Sequence, residues 1–177
     1  MAAKELSAAE LLLHPVRWRV VQALMGRHLT TADLSEQLPD VATTTLYRHV
    51  GLLAKAGVVV VVEEQRVRGT VERTYALADP PGLGEEEVAT MDRDQHRQMF
   101  LQFTTGLLAT FERYLARDEI DPVQDFVNYN QAALYVSEDE LEHLGEAMTA
   151  LLTPYLEQRP GVEQRRLMLA TVLVPAD

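Results

Sequence analysis

Three consecutive threonines, Thr43, Thr44 and Thr45, stand one turn ahead of Tyr47 and Arg48, and Lys55 follows two turns later. Hydroxyls, a phenol and a guanidinium in such a run can read base edges. Threonine hydroxyls donate or accept, threonine methyls meet the thymine methyl, and arginine forks onto guanine or bridges a phosphate. Lys55 is placed to reach phosphate only. Downstream, Arg66 and Arg68 bracket a turn, where a narrow minor groove attracts guanidinium groups. The chemistry these eight residues share is recognition of a polyanion rather than bond making.

The charge distribution agrees. The 177-residue chain has a net charge of −11, which by itself argues against nucleic acid. Residues 1–79, however, hold nine basic and nine acidic residues, and residues 80–177 hold seven and eighteen. All the excess negative charge lies in the second half. Within 41–77 five basic residues face three acidic ones, so a mildly basic surface is joined to an acidic body.

Other chemistries find little support. There is no cysteine, which removes disulfides, thiolate metal sites and cysteine nucleophiles and fits a reducing compartment. Neither a phosphate loop nor Gly-x-Ser-x-Gly occurs, so an enzyme is not expected, and no cofactor is. Asp92 with His96, and Asp139 with His143, have metal-ligand spacing but no third ligand; solvated helix faces explain both. The opening MAAKELSAAELLLHPVRWRV does not read as a signal peptide. No apolar run approaches the roughly 20 residues that span a bilayer. A cytoplasmic protein without membrane contact is the expectation.

The elements that must position these residues are legible. Ser7 with Glu10 forms a capping-box pattern before Leu11, Leu12 and Leu13. Pro15 opens a helix that carries Val16, Val20, Ala23 and Leu24 and stops near Gly26. TTADLSEQL, residues 30–38, opens on threonine caps, places Leu34 and Leu38 on one face and ends at Pro39. A helix over about 43–56 puts Leu46, Val50 and Leu53 toward a core, which leaves Thr44, Tyr47, Arg48, Gly51 and Lys55 on the other side. Gly57 ends it. The β-branched run Val58–Val62 and the alternating TVERTYAL, residues 70–77, predict a β-hairpin with a longer loop around 66–69. Three helices and a hairpin make a winged helix-turn-helix, whose second paired helix enters the major groove. His49 leaves two roles open, a structural histidine or a phosphate contact. Arg73 shares the phase of Tyr75 and Leu77 and suits an ion pair.

LLLHPVRWRVVQAL, ATTTLYRHVGLLAKAGVV and RVRGTVERTYAL resemble the opening helix, recognition helix and wing of ArsR-type winged-helix transcriptional regulators, over about residues 8–78. The resemblance implies a homodimer that binds an inverted-repeat operator in double-stranded DNA, often as a repressor. Two departures accompany it. Ala42 occupies the position that caps the recognition helix, a loss of about 1 kcal/mol, unless Thr43 caps instead. The cysteine-rich sites of the metal-sensing members have no counterpart here.

A junction is expected at ADPPGLGEEE, residues 78–87, between a winged-helix domain over 1–79 and an acidic domain over 80–177. In the second, 85–117 reads as one long dimerisation helix. Its Phe100, Phe103, Leu107, Phe111 and Tyr114 follow helical spacing, and it would be roughly 50 Å long unless bent near Gly106. FVNYNQAALYV (126–136) and RRLMLATVLV (165–174) read as strands that pair with each other. Between them Ser137 and Glu140 cap a helix striped by Leu141, Leu144, Met148, Leu151 and Leu152. The fold class is α+β, mostly α, with a C-terminal α/β domain for dimerisation or for a small apolar effector. The alternative is a winged helix used for protein–protein contact.

Overall fold

The structure, a computed structural model, describes residues 7–67, 69–78, 84–156 and 162–176. It is α+β, with helices α1 (Ala8–Leu12), α2 (Pro15–Leu24), α3 (Thr31–Gln37) and α4 (Thr43–Lys55), strands β1 (Leu29–Thr30), β2 (Val59–Val67) and β3 (Thr70–Leu77), then α5 (Glu85–Thr90), α6 (Arg93–Leu115) and α7 (Glu138–Leu152), followed by a 3-10 turn over Thr153–Tyr155. Two compact units result, Met1–Leu108 and Ala109–Asp177.

In the first unit, side chains close the helix starts. Ser7 and Glu10 form the reciprocal capping box of α1, and Thr30 and Asp33 form that of α3. Pro15 is the first residue of α2. Gly26 and Gly57 take positive φ, 63° and 74°, where the chain leaves α2 and α4. A single core then forms from Val20 and Leu24 of α2, Leu34 of α3, Leu46, Val50 and Leu53 of α4, and Val59 and Tyr75 of the sheet. Leu46 and Leu53 are fully buried; truncating either to alanine costs roughly 2–5 kcal/mol.

The sheet is antiparallel in the order β1-β3-β2. The two-residue β1 leads into α3, its Thr30 serving also as the expected helix cap; it pairs Leu29 with Tyr75 and Thr30 with Thr74. The hairpin differs from expectation in its loop. β2 runs past the valines to Val67, which pairs with Thr70, so only residues 68 and 69 connect the strands. Gly69, at φ 87°, permits that tight connection. A bulge at Val62 offsets the register between Val61 and Glu63.

Residues 85–117 are not one helix. The chain breaks at Met91 and Asp92, and α6 starts anew because Asp92 caps it: its Oδ1 accepts from Asp94 N and Gln95 N, while Gln95 Oε1 accepts from Asp92 N. Helix α6 runs on through Gly106. In the first unit Glu87 of α5 accepts from Ala8 N at 3.2 Å, and Gln102 of α6 donates to the Leu13 carbonyl at 2.6 Å. Gly106 sits against Gln22 of α2, where a Cβ would meet the Gln22 amide.

In the second unit a turn over residues 121–126 is tied down at Asp125. Its Oδ2 accepts from Tyr114 Oη at 3.1 Å and Asp121 N at 3.3 Å, and Arg165 bonds both its carboxylate and the Gln124 carbonyl. The Asp121 backbone bond, then Tyr114 and Arg165, hold the Asp125 carboxyl below the usual range. Helix α7 has the expected Ser137–Glu140 capping box. The expected strands are absent: 127–136 and 162–176 are extended but belong to no sheet among the described residues. Their apolar, aromatic and β-branched residues made both segments competent for a strand, yet neither is laid beside the other in ladder register.

Helix α4 begins at Thr43, and Ala42 caps it with no side-chain hydrogen bond. Thr43 does not take over as cap; its hydroxyl lies 3.1 Å from Ser35 Oγ of α3. Replacing Ala42 with serine supplies the missing acceptor. Equilibrium urea unfolding should show a gain of about 1 kcal/mol with an unchanged m-value.

Candidate nucleic-acid interface

Helix α4 has two faces. Leu46, His49, Val50 and Leu53 are buried, whereas Thr43, Thr44, Tyr47, Arg48, Gly51 and Lys55 are exposed and Thr45 is half-buried. The apolar residues set this orientation, because burying three of them against α2, α3 and the sheet leaves one rotation of the helix available. Tyr47, at 60% exposure, is a large ring facing solvent beside Arg48. The first turn is uncapped by any side chain and carries three hydroxyls. An uncapped helix N-terminus has backbone N–H groups and a positive partial charge to offer an anion.

In the wing, Arg66 is exposed on β2, one residue before the closing pair. Arg68 lies outside the described residues. Arg73 is directly opposite Glu64 in the ladder, and its Nε donates to Glu64 Oε1 at 2.8 Å. Glu64 holds the Arg73 guanidinium in its charged form, first through that hydrogen bond and then through its charge. Arg73 therefore acts inside the wing, as an exposed pair of small energetic weight.

A basic cluster lies beneath the outer face of α4. His14, the N-cap of α2, accepts from Val16 N through Nδ1 at 3.2 Å, so its ring proton sits on Nε2. The rings of His14 and His49 are 4.5 Å apart between centroids. Arg17 is only 7% exposed and His49 only 3%. Arg17 Nε and His49 Nδ1 are both buried without a hydrogen-bond partner. His49 is thus an interior residue rather than one on the outer face. Desolvation, then the charges of His14, Arg48 and Arg17, lower its pKa below the ordinary 6.5. His14 is lowered by desolvation and by Arg17 and Arg48. Arg17 is lowered by burial and by Arg48. Arg17 was no candidate on residue type alone. Its phase was the available signal, since it shares the buried face of α2 with Val20, Val21 and Leu24.

The metal-ligand spacings resolve into backbone chemistry. Asp92 caps α6, and His143 Nδ1 lies 2.6 Å from the carbonyl oxygen of Asp139. Among the described residues no group of three or more His, Asp or Glu is arranged to hold a metal ion, and no helix is long and apolar enough to cross a membrane.

Residues 12–62 match a family model described as a helix-turn-helix domain. The match runs from the end of α1 through α2, α3 and α4 into β2. The chain therefore carries a helix-turn-helix domain, and that class suggests a DNA-binding regulator. No curated protein matches the chain.

The lowered histidines set a stability window. Just below pH 6.5 the unfolded chain protonates His14 and His49 while the native protein resists, so stability falls with pH until the lowered native values are passed. Thermal melts from pH 7.5 to 5.5 should show this loss. In His49→Gln the loss over the same interval should be smaller, because one of the two resisting groups is gone.

Proposed function

We propose that this protein is a sequence-specific, DNA-binding transcriptional regulator of the ArsR type. It acts as a homodimeric repressor on an inverted-repeat operator in the cytoplasm, without enzymatic activity and without a cofactor. The observation that carries the reading is the two-faced α4. Its inner side is locked into the core, and its outer side presents Thr44, Tyr47, Arg48, Gly51 and Lys55 at the spacing of a groove-reading surface.

In this reading the first turn of α4 meets DNA. Thr43, Thr44 and Thr45 supply hydroxyls and methyls to bases and phosphates, and the absence of a side-chain cap at Ala42 leaves the helix end open to a phosphate. Arg48 is the base-reading or phosphate-bridging cation, Tyr47 packs against the backbone, and Lys55 holds a phosphate. Arg66 and Arg68 follow the adjacent groove from the wing. The pair Arg73–Glu64 stiffens the wing that aims them. Two recognition helices about 34 Å apart would meet successive major grooves. The exposed Phe100, Leu101, Leu107 and Leu108 of α6 are apolar surface suited to the dimer. The acidic residues 80–177 repel DNA and so favour docking through the winged helix.

Selection from a random double-stranded pool should enrich a palindrome. Affinity for it should fall steeply with salt, with a log–log slope steeper than about −3 if some four phosphates are neutralised. Arg48→Ala should weaken operator binding by about 1–3 kcal/mol without a change in melting temperature. Arg66→Ala should lower the salt slope by about one. No enriched sequence, with salt-independent affinity, would favour a protein-contact role for the winged helix instead.

A further inference from the structure

The second unit holds two extended segments, 127–136 and 162–176, that are part of no sheet among the described residues. Both are built of strand-forming residues: ALYV closes the first, and LMLATVLV fills the second. Both leave from one place. Asp125 and Gln124 sit at the start of the first segment, and Arg165, near the start of the second, is bonded to both. The turn that leads into the first segment is held in a demanding conformation, with Phe126 at φ 58°, a left-handed value that L side chains rarely adopt. Such strain persists where the surrounding structure fixes it. Here the Asp125 bonds do so, and the consequence is that both segments are projected from a common anchor.

What they project is apolar. Leu134, Tyr135, Leu167, Leu169, Leu173 and Val174 are each more than half exposed, Tyr135 at 98%. At roughly 200 Å² for a fully exposed large residue, these six alone leave on the order of 800 Å² uncovered, about one partner's share of a standard protein interface. A small ligand cannot satisfy this surface, because an extended backbone also presents rows of N–H and C=O groups, and another strand is the structure that pairs such rows. A second copy of this chain offers two strands of the same kind, projected from the same anchor.

We propose that the second unit completes itself by strand exchange: residues 127–136 and 162–176 of one copy form a sheet with the same segments of a second copy. This rests on the homodimer reading above and deepens it. The dimer is then interleaved through the C-terminal unit rather than held by the α6 face alone, and the exchanged sheet is what keeps two winged helices in one particle.

The test uses the full chain. Light scattering should show a dimer, and backbone amides of 128–136 and 165–174 should exchange at least about 100-fold more slowly than unpaired chain. Ala170→Pro and Thr171→Pro are made separately, since adjacent residues direct their N–H groups to opposite edges and at least one must remove a ladder bond. At least one should shift dimer dissociation to 10-fold or more higher concentration, while the winged-helix melt stays in place. A dimer with fast-exchanging segments, or one untouched by either proline, would overturn strand exchange and leave the homodimer standing. A wild-type monomer at high concentration would overturn both, including the case in which these amides are protected within a single chain.

Discussion

Everything that the winged helix offers to a partner depends on how α4 is seated. Leu46, Val50 and Leu53 occupy positions i, i+4 and i+7, and each is buried against α2, α3 and the sheet. Three such side chains supply several kcal/mol of apolar burial, far more than the outer face could gain from any local contact. The helix therefore has one rotation, and the identity of its outward residues follows. The turn before it, the glycine after it and the hairpin all serve that seat: Val58 N, the first donor after Gly57, returns to the Leu53 carbonyl at 3.0 Å and ties the wing to the end of the helix.

The basic cluster below α4 follows from the same constraint. Seating α4 buries His49, and His49 meets the His14 ring that caps α2. Arg17 lies on the buried face of α2 for the same geometric reason. Three groups with affinity for protons are thereby withdrawn from water next to Arg48, and the neighbours that act on them are basic. Lowered pKa values leave the two histidines uncharged near neutral pH, so the fixed charge beneath α4 is that of Arg17 beside Arg48. A buried guanidinium projects its field through a low dielectric, whereas the carboxylates of the second half are largely exposed and screened.

The second unit is organised by a different rule. Its described contacts gather at Asp125, which joins Tyr114 of α6, the turn over 121–126 and Arg165. Phe111 meets Tyr129 edge-on at 6.0 Å nearby. Beyond that knot the extended segments carry apolar side chains outward. A unit with a polar centre and an apolar periphery inverts the usual order of burial. The strand exchange proposed above would bury that periphery.

Local chemistry was enough to read the winged helix. Ser7, Thr30 and Ser137 cap where the polar residue stands three before an acidic one, and Gly26 and Gly57 stop helices where φ must turn positive. The outward set on α4 was equally legible, because helical periodicity alone separates Leu46, Val50 and Leu53 from Thr44, Arg48 and Lys55. Other features needed the assembled chain. The two residues of β1 are too few to carry a pattern and exist because β3 offers them an edge. The break at Met91 depends on which carboxylate captures the free amides, and Asp92 does so inside a stretch whose composition is helical throughout. The segments 126–136 and 165–174 have the residues of strands but not their pairing, since a strand is completed by a neighbour and periodicity cannot say which chain supplies it. Propensity and period are properties of a few adjacent residues; caps in competition, sheet edges and partners are properties of what lies close in space.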